Sequence, residues 1–226
     1  MSGMAIFFLV VITLGLSLLL SFLGWMTIRT NLVGWFLFIT GWIYFFGVVI
    51  VYWIRKIPFW RSQEKGKTIN EEQDDWSFWL IVVSMIAVFY LPPIEYLYFR
   101  TVSVSTPAMQ IIGLILVFFG SGLFIWARRV LGKYYSGHVS VLEGQPLVQS
   151  GPYRFIRHPA YAGYLLIASG ITCGYSSLTG LLLIPLLLLP SVIYRLSVED
   201  KLLAEHFGDH FGEYARKTAR LIPGVW

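Results

Sequence analysis

The chain alternates long apolar runs with short polar segments, and five such runs dominate it. They cover residues 5–25, 32–54, 76–99, 108–127 and 161–194. A helix that crosses a bilayer needs roughly 17–25 mostly apolar residues, and the first four runs have that length. The fifth run is too long for one ordinary crossing, and the sequence Gly-Tyr-Ser-Ser at its centre, residues 174–177, is typical of a turn. The pattern therefore predicts six membrane-spanning helices, the last two forming a short hairpin.

Polar segments separate these helices and follow the last one. Residues 56–75 carry charges of both signs, and residues 131–149 contain several glycines and a proline, so we expect irregular loops there. After residue 195, apolar and aromatic side chains recur at steps of three and four. This spacing predicts an amphipathic helix that lies on the membrane or caps the last hairpin, broken at Gly208 and Gly212. The recurring positions are Leu202, Leu203, His206, Phe207, Phe211 and Tyr214.

Composition supports a membrane protein, because 57% of the 226 residues are hydrophobic, 13% are charged and the mean hydropathy is +0.69. A soluble domain has about 25% charged residues. We therefore expect an all-α, polytopic helical bundle that forms one membrane domain over residues 1–226. Four transmembrane helices would lie in residues 1–130, and residues 131–226 would carry the chemistry. The first run has no basic residues before it, so we expect a retained span and not a cleaved signal peptide.

The basic residues predict the orientation of the chain. Of the 17 Lys and Arg, only Arg29 and Arg100 would face outside if the N-terminus is cytoplasmic. Short loops rich in Lys and Arg remain on the cytoplasmic side. We therefore expect the N-terminus, the segment after the fourth span and the C-terminus to be cytoplasmic. The net charge of +5 fits attraction to anionic membrane lipids better than nucleic acid binding.

The third run contains residues that are unusual in a span. Pro92 and Pro93 remove backbone donors, which predicts a kink. Glu95 follows within the same run. We expect Glu95 to lie in water at the outer interface, and the alternative is a functional carboxylate inside the membrane.

Two polar clusters beside the last hairpin are the strongest candidates for chemistry. The first, residues 151–163, holds two Arg, one His and two Tyr, and the second, residues 195–200, closes the last span. Such groups beside a span mark sites or interfaces. Arg195 and Glu199 are four residues apart and share one helical face. They are either an ordinary interfacial ion pair or two parts of a binding site.

The first cluster also allows two interpretations. Pro suits a first helical turn, so His158 and Pro159 could simply cap the following helix. Tyr153 and Tyr161 could be aromatic residues of the membrane interface, or their phenols could bind a ligand.

Other kinds of site are disfavoured by the sequence. Neither of the glycine-rich motifs that bind nucleotide phosphates is present. His206 and His210 have a spacing that metal ligands use, but no further ligand accompanies them, so we expect no metal site.

A motif runs through both polar clusters. Residues 151–161 read Gly-x-Tyr-x-x-x-Arg-His-Pro-x-Tyr, and residues 199–208 read Glu-Asp-x-x-Leu followed by Phe-Gly. This combination resembles the isoprenylcysteine carboxyl methyltransferase family, integral membrane enzymes related to phospholipid methyltransferases. The first four spans match only in being apolar. Asp200 stands where that family has a second Glu, Lys217 where it has Arg, and Ala219 where it has Pro.

The resemblance implies an enzyme that uses S-adenosylmethionine and releases S-adenosylhomocysteine. It also implies that Arg195 contacts the methyl acceptor and that Arg195 and Glu199 are the catalytic residues. The cofactor contacts implied by the resemblance are Gln145, Leu147, Val148, Tyr153, His158, Pro159, Tyr161 and Glu199.

The acceptor implied by the resemblance is a carboxylate on a lipid-like molecule, such as a prenylated C-terminal cysteine. Three alternatives remain open. The first is N-methylation of an amino phospholipid, which needs a base and which Arg195 disfavours because like charges repel. The second is a membrane reductase that uses NADPH, since sterol reductases resemble this family at their C-terminal end. The third is a membrane scaffold without catalytic activity.

Overall fold

The computed structural model is built mainly from helices and describes residues 3–55, 68–71, 75–99, 105–135 and 140–224. The first four helices are α1 (Gly3–Thr27), α2 (Val33–Arg55), α3 (Asp75–Tyr98) and α4 (Pro107–Leu131). They follow the first four apolar runs because an α-helix satisfies its backbone polar groups internally, as lipid requires. α3 is helical through Pro92 and Pro93, and the kink expected there stays a prediction.

The fifth apolar run forms a helical hairpin, as its sequence predicts. α5 (Pro159–Tyr175) ends at a turn over Ser176 and Ser177, and α6 (Leu178–Leu183) begins the return. Ser176 has a φ of 50°, a left-handed conformation that helps to reverse the chain direction. The predicted turn is therefore confirmed.

The return from this turn is helical, and Gly208 interrupts it. It consists of α6, a π-helical turn (Ile184–Leu188), α7 (Leu189–Phe207) and, after Gly208, α8 (Asp209–Lys217). Gly208 has a φ of 55°, and the predicted break at this residue is confirmed. The predicted break at Gly212 is wrong, because Gly212 lies within α8. α8 buries Phe211 and Tyr214 and exposes its charged residues, which confirms its amphipathic character.

Five helical segments of the described residues are long and apolar enough to cross a membrane. They are Val10–Thr27, Val33–Ile50, Ser77–Tyr98, Pro107–Tyr134 and Leu178–Phe207. α5 is shorter, with 17 residues. The helical membrane fold is thus confirmed, and a sixth crossing by α5 stays a prediction.

A small two-stranded sheet departs from the all-helical expectation. β1 (Thr68–Glu71) and β2 (Ser140–Leu142) pair antiparallel. Both strands fall within segments expected to be irregular loops, and residues 56–67 and 72–74 of the first loop lie outside the described residues. Local patterns miss this pairing because its two strands are far apart in the chain.

The chain forms two compact units, each assembled from separate stretches. The first unit comprises Met1–Arg61, Ile86–Ile115 and Ser169–Leu182. The second unit comprises Ser62–Met85, Leu116–Ala168 and Leu183–Trp226.

Buried hydrogen bonds connect helices within the first unit. The hydroxyl groups of Thr27 and Tyr175 lie 2.8 Å apart. Asn31 Nδ2 donates to the carbonyl oxygen of Gly174, also at 2.8 Å. Hydrogen bonds between membrane helices each contribute about 1 kcal/mol, so these two bonds stabilise the end of α5 against the α1–α2 turn.

Glu95, in the same unit, is buried, and the expectation that water surrounds it is wrong. It is 8% exposed. Its carboxylate accepts hydrogen bonds from Ser177 Oγ and from the backbone N–H groups of Leu178 and Thr179, the latter two at 3.0 Å. The first N–H groups of a helix have no partner within the helix, and an anion is stabilised beside them. Glu95 therefore caps the start of α6.

The second unit packs α4 against α5 and β2 against α7. A Cβ atom at Gly120 would lie 2.8 Å from the carbonyl oxygen of Gly163, so the two helix backbones approach closely there. Val141 of β2 and Leu202 of α7 are buried together. This unit contains every residue predicted for the functional site.

Candidate functional site

The first polar cluster begins with a tight turn that buries an aromatic side chain. Gly151 has a φ of +60°, which favours glycine, and Gly151–Arg154 form a 3₁₀ turn. Tyr153 in this turn is 7% exposed and packs with Ala127 and Ala160. Burial raises the pKa of the Tyr153 phenol above its ordinary value, so the phenol is neutral and can donate a hydrogen bond at neutral pH.

His158 lies immediately before α5 and faces two carboxylates of α7. Its side chain is 1% exposed, its Nε2 lies 2.7 Å from Asp200 Oδ1, and its Nδ1 lies 3.8 Å from Glu199 Oε1. An ionised carboxylate only accepts hydrogen bonds, so the Nε2 proton points to Asp200. The His158 carbonyl accepts the first helical bond, from Ala162, and Pro159 is the first residue of α5. His158 thus both begins α5 and joins the polar cluster.

Arg195 is buried, although ordinary interfacial arginines are exposed. It is 3% exposed, its Nη1 donates to Ser77 Oγ at 2.9 Å, and its side chain hydrogen-bonds Tyr161. Glu199 interacts electrostatically with Tyr161 and has a side chain that is 33% exposed. A buried cation requires partners that offset its desolvation. This environment favours a binding site over a simple surface ion pair.

The structure therefore gathers five of the predicted site residues in the second unit. They are Tyr153, His158, Tyr161, Arg195 and Glu199. They come from the turn before α5, the first turn of α5 and the middle of α7. Because the last hairpin folds back on itself, two clusters that are well separated in sequence meet in one place.

Of the other predicted contacts, Pro159 is the first residue of α5, and Gln145, Leu147 and Val148 lie in the loop after β2. Among the described residues, the hydrogen bonds of Gln145 run to the backbone of Leu142, at 3.0 and 3.1 Å, and close the turn after β2. Val148 packs beside Tyr153, and Leu147 is half-buried. Val148 therefore adjoins the five-residue cluster, because it packs against the buried group that includes Tyr153.

Sequence reasoning missed the role of Asp200 in holding the cluster together. Its Oδ1 binds His158, and its Oδ2 accepts a hydrogen bond from Arg220 Nε at 2.7 Å. The sequence shows Asp200 only as an acid beside Glu199, and nothing in it indicates that Arg220 returns to this point.

Two further supports were also missed. Ser77 of α3 binds Arg195, and no local sequence signal marks this serine. The Tyr214 hydroxyl donates to the Tyr153 carbonyl oxygen at 2.8 Å. Burial raises the pKa of Tyr214 to about 12, so this donor keeps its proton at neutral pH. The amphipathic spacing predicts that Tyr214 is buried but does not identify its partner.

The side chains of the cluster suit an organic ligand with a cationic part. The partly exposed carboxylate of Glu199 can pair with a cation, and the phenols and imidazole can hydrogen-bond polar groups. Among the residues that the structure describes, no group of three or more His, Cys, Asp or Glu side chains could hold a metal ion.

Known proteins share this region of the sequence. The profile of a family described as phospholipid methyltransferase matches residues 108–210. The protein-S-isoprenylcysteine O-methyltransferase of Schizosaccharomyces pombe is 32% identical over 107 residues, which cover 41% of this chain and 45% of that protein. The protein of the same name from Saccharomyces cerevisiae is 28% identical over 125 residues, which cover 54% of this chain and 52% of that protein. The chain thus spans about half the length of the curated relatives it matches.

A solved structure has a similar fold. It is that of a eukaryotic intramembrane Ras methyltransferase, isoprenylcysteine carboxyl methyltransferase. The TM-score is 0.52 at 20% sequence identity, and the match covers 85% of this chain and 66% of that one. Identity this low shows the fold alone. Together, the sequence matches and the shared fold confirm the resemblance to the isoprenylcysteine carboxyl methyltransferase family that the motif shows.

Proposed function

We propose that the protein is a membrane enzyme that transfers a methyl group from S-adenosylmethionine to the carboxylate of a lipid-linked acceptor, such as a prenylated C-terminal cysteine. The observation that carries this proposal is the cluster of Tyr153, His158, Tyr161, Arg195 and Glu199. It combines an anion for a cationic cofactor with a cation for an acidic acceptor. Relatives of the chain are named for this reaction. In this proposal, residues 131–226 form the cofactor-binding and catalytic region.

The chemistry of the side chains fits the cofactor. When bound, S-adenosylmethionine supplies a methyl group that is already activated by a positively charged sulfur. Glu199 would pair with the cationic part of the cofactor, because its carboxylate is partly exposed. Tyr153 and His158 would offer hydrogen bonds, and Val148, packed beside Tyr153, would offer apolar surface. Gln145, Leu147, Pro159 and Tyr161 are the further contacts that we propose.

Arg195 would bind the acceptor carboxylate. A guanidinium presents a planar fork of donors that matches a carboxylate. The hydrogen bonds of Arg195 to Ser77 and Tyr161 fix its position before an acceptor arrives. This preorganisation lowers the entropy lost in aligning the reactants. The hydrocarbon part of a lipid-linked acid would stay in the bilayer while its acidic end reaches Arg195.

Methyl transfer to a carboxylate needs no general base, because the acceptor is already an anion. The side chains then have two tasks, to align the acceptor oxygen with the methyl group and to exclude water. Arg195 and Glu199 would act through charge and position and not through proton transfer.

N-methylation of an amino phospholipid is the second candidate, and the match of residues 108–210 to a phospholipid methyltransferase profile favours it. An ammonium acceptor must lose a proton before it can attack, so this reaction needs a base. A buried Arg195 close to an ammonium would also repel it. These two requirements make the carboxylate the better acceptor for this cluster.

Incorporation of labelled methyl groups tests the choice of acceptor. Purified protein in liposomes receives methyl-labelled S-adenosylmethionine with N-acetyl-S-farnesylcysteine, with its carboxyl amide, or with phosphatidylethanolamine. We expect label only in the reaction that contains the free acid. The product is a methyl ester, so base should release the label as methanol. Label only in phosphatidylethanolamine would establish the second candidate. No label in any acceptor from folded, cofactor-binding protein would contradict a carboxyl or amine acceptor of these types.

We also propose that the N-terminus, the proposed catalytic loop after the fourth span (residues 131–149) and the C-terminus are cytoplasmic, on the basis of the Lys and Arg distribution. Cys173 is the only cysteine, so a Cys173→Ala background permits single-cysteine labelling. On intact cells, an impermeant thiol reagent should label Arg29→Cys, and it should label Lys133→Cys only after lysis. The opposite pattern would reverse the proposed orientation.

A further inference from the structure

The chain after α8 returns to the polar cluster and runs beside the segment that ends in His158. We call residues 218–221 the C-terminal strap. Ala219 N donates to Phe155 O at 3.1 Å, Arg157 N donates to Ala219 O at 2.8 Å, and His158 N donates to Arg220 O at 3.2 Å. Ile156 and Ala219 form a parallel bridge. The backbone of the strap is therefore fixed against the backbone of the turn that carries His158.

One side chain of the strap reaches α7. Arg220 Nε donates to Asp200 Oδ2 at 2.7 Å, and Asp200 Oδ1 lies 2.7 Å from His158 Nε2. The exposed fractions of the Arg220 and Asp200 side chains are 20% and 16%. Arg220 also donates from Nη2 to Ser197 Oγ at 3.3 Å. A continuous chain of charge-assisted hydrogen bonds thus runs from Arg220 through Asp200 to the imidazole.

A second connection holds the other end of the same turn. The Tyr214 hydroxyl donates to Tyr153 O, and Thr218 Oγ1 donates to Tyr214 O at 2.8 Å. Arg157 Nη1 donates to the carbonyl oxygens of Ala215 and Thr218 at 2.7 and 2.6 Å. α8 and the strap therefore support both Tyr153 and His158, the two residues of the turn proposed to bind the cofactor.

We propose that Asp200 and Arg220 are positioning residues that fix the ring orientation and tautomer of His158. An imidazole has two possible neutral tautomers, and the hydrogen bond at one nitrogen decides which one forms. Asp200 holds the proton on Nε2, which leaves Nδ1 on the side of Glu199. Arg220 holds Asp200 in turn, because a carboxylate with a fixed cationic partner has fewer rotamers available. This inference rests on the proposed function only in the statement that His158 contacts the cofactor.

A merely structural role for Arg220 makes a different prediction. If Arg220 only anchors the strap, its replacement changes stability but leaves the His158 ring as it was. The strap has its own backbone hydrogen bonds to residues 155–158, so losing the Arg220 side chain should not detach it. The two roles are therefore separable by observing the imidazole itself.

The first measurement is ¹⁵N NMR of ¹⁵N-histidine-labelled protein in micelles without any ligand. The chain has four histidines, and His158→Gln identifies the signals of interest. We expect wild-type His158 to carry its proton on Nε2. Arg220→Gln and Asp200→Asn should shift both ring signals towards mixed tautomers, while Arg220→Lys, which keeps a cationic donor, should restore most of the wild-type pattern. Arg216→Gln, an exposed arginine of α8, is the matched control and should change nothing.

The second measurement is the affinity of the same variants for S-adenosylhomocysteine. We expect roughly tenfold weaker binding by Arg220→Gln and by Asp200→Asn, because a hydrogen bond to a charged group contributes about that factor. Arg216→Gln should bind as wild type does. Melting temperatures establish that each variant is folded. If Arg220→Gln does not fold, Asp200→Asn tests the inference, because it breaks the same chain of hydrogen bonds.

The results separate failure of this inference from failure of the proposed function. Wild-type ring signals in folded Arg220→Gln and Asp200→Asn would overturn the positioning role, even if the wild type binds S-adenosylhomocysteine. Shifted ring signals in a protein that does not bind S-adenosylhomocysteine would support the positioning role and contradict the cofactor. Equal shifts in Arg216→Gln would also overturn it, because the effect would then be one of charge alone.

Discussion

Removing the carboxylate of Glu95 should destabilise the protein more than any ordinary surface mutation. This carboxylate accepts three hydrogen bonds at the start of α6 and is 8% exposed. In Glu95→Ala, the partly buried N–H groups of Leu178 and Thr179 lose their partner. A fully buried unsatisfied donor costs about 1–3 kcal/mol, which is the upper bound for each of them. A helix cap alone contributes about 0.5–2 kcal/mol. We therefore expect the free energy of unfolding to fall by about 2–4 kcal/mol, because solvation of part of the turn offsets some of the summed cost.

Glu95→Gln keeps the shape and one acceptor but removes the charge beside the helix N-terminus. We expect a smaller loss of about 1–2 kcal/mol, the range for a partly buried charge at a helix end. Glu213→Ala removes an exposed carboxylate of α8 and serves as the control, with a change within about 0.5 kcal/mol.

Thermal unfolding in micelles, followed by circular dichroism, measures these changes. For a chain of 226 residues, each kcal/mol shifts the melting temperature by about 2–4 °C. Glu95→Ala should therefore melt about 4–16 °C below wild type, with Glu95→Gln between the two. A Glu95→Ala protein that melts with the Glu213→Ala control would refute the capping role.

Three further substitutions test the site and the helix packing. Arg195→Ala should lower the rate of methyl transfer roughly 10²–10³-fold, which is the range for losing one preorganised donor. The affinity for S-adenosylhomocysteine should change little. A parallel loss of rate and affinity would contradict a role confined to the acceptor. Glu199→Gln should weaken S-adenosylhomocysteine binding roughly tenfold through loss of one charged interaction, and unchanged affinity in calorimetry would count against its assignment. Gly120→Ala should lower the melting temperature, because its Cβ would lie 2.8 Å from Gly163 O. Gly122→Ala should not, because nothing lies within 4 Å of its Cβ. Equal melting temperatures would show that stability does not depend on the close approach of α4 and α5.

The hairpin could be predicted because its information is local. A run too long for one crossing, with Ser176 and Ser177 at its centre, has few alternatives in lipid, where every backbone group needs a partner. The same holds for α8, since the spacing of Phe211 and Tyr214 already defines one apolar face. The meeting of the two polar clusters follows from the hairpin, which brings the start of α5 beside α7.

The rest depends on contacts between residues that are distant in the chain. Glu95 has the sequence context of an interfacial residue, and only the position of the α6 N-terminus explains its burial. Arg220 and Asp200 are ordinary charged residues until the strap returns to His158. Ser77 becomes informative only when Arg195 reaches it. Such partners are set by tertiary packing, which a pattern of apolar and polar positions does not encode.

Calorimetric titration of the detergent-purified protein with S-adenosylhomocysteine tests the proposed cofactor site most directly. Wild type, His158→Ala and His210→Ala are compared, because His210 is exposed on α8 and lies outside the cluster. We expect micromolar binding by wild type and by His210→Ala, and loss of binding in folded His158→Ala. A folded wild type that does not bind would contradict the proposed cofactor, and a His158→Ala variant that binds as wild type does would contradict the proposed site.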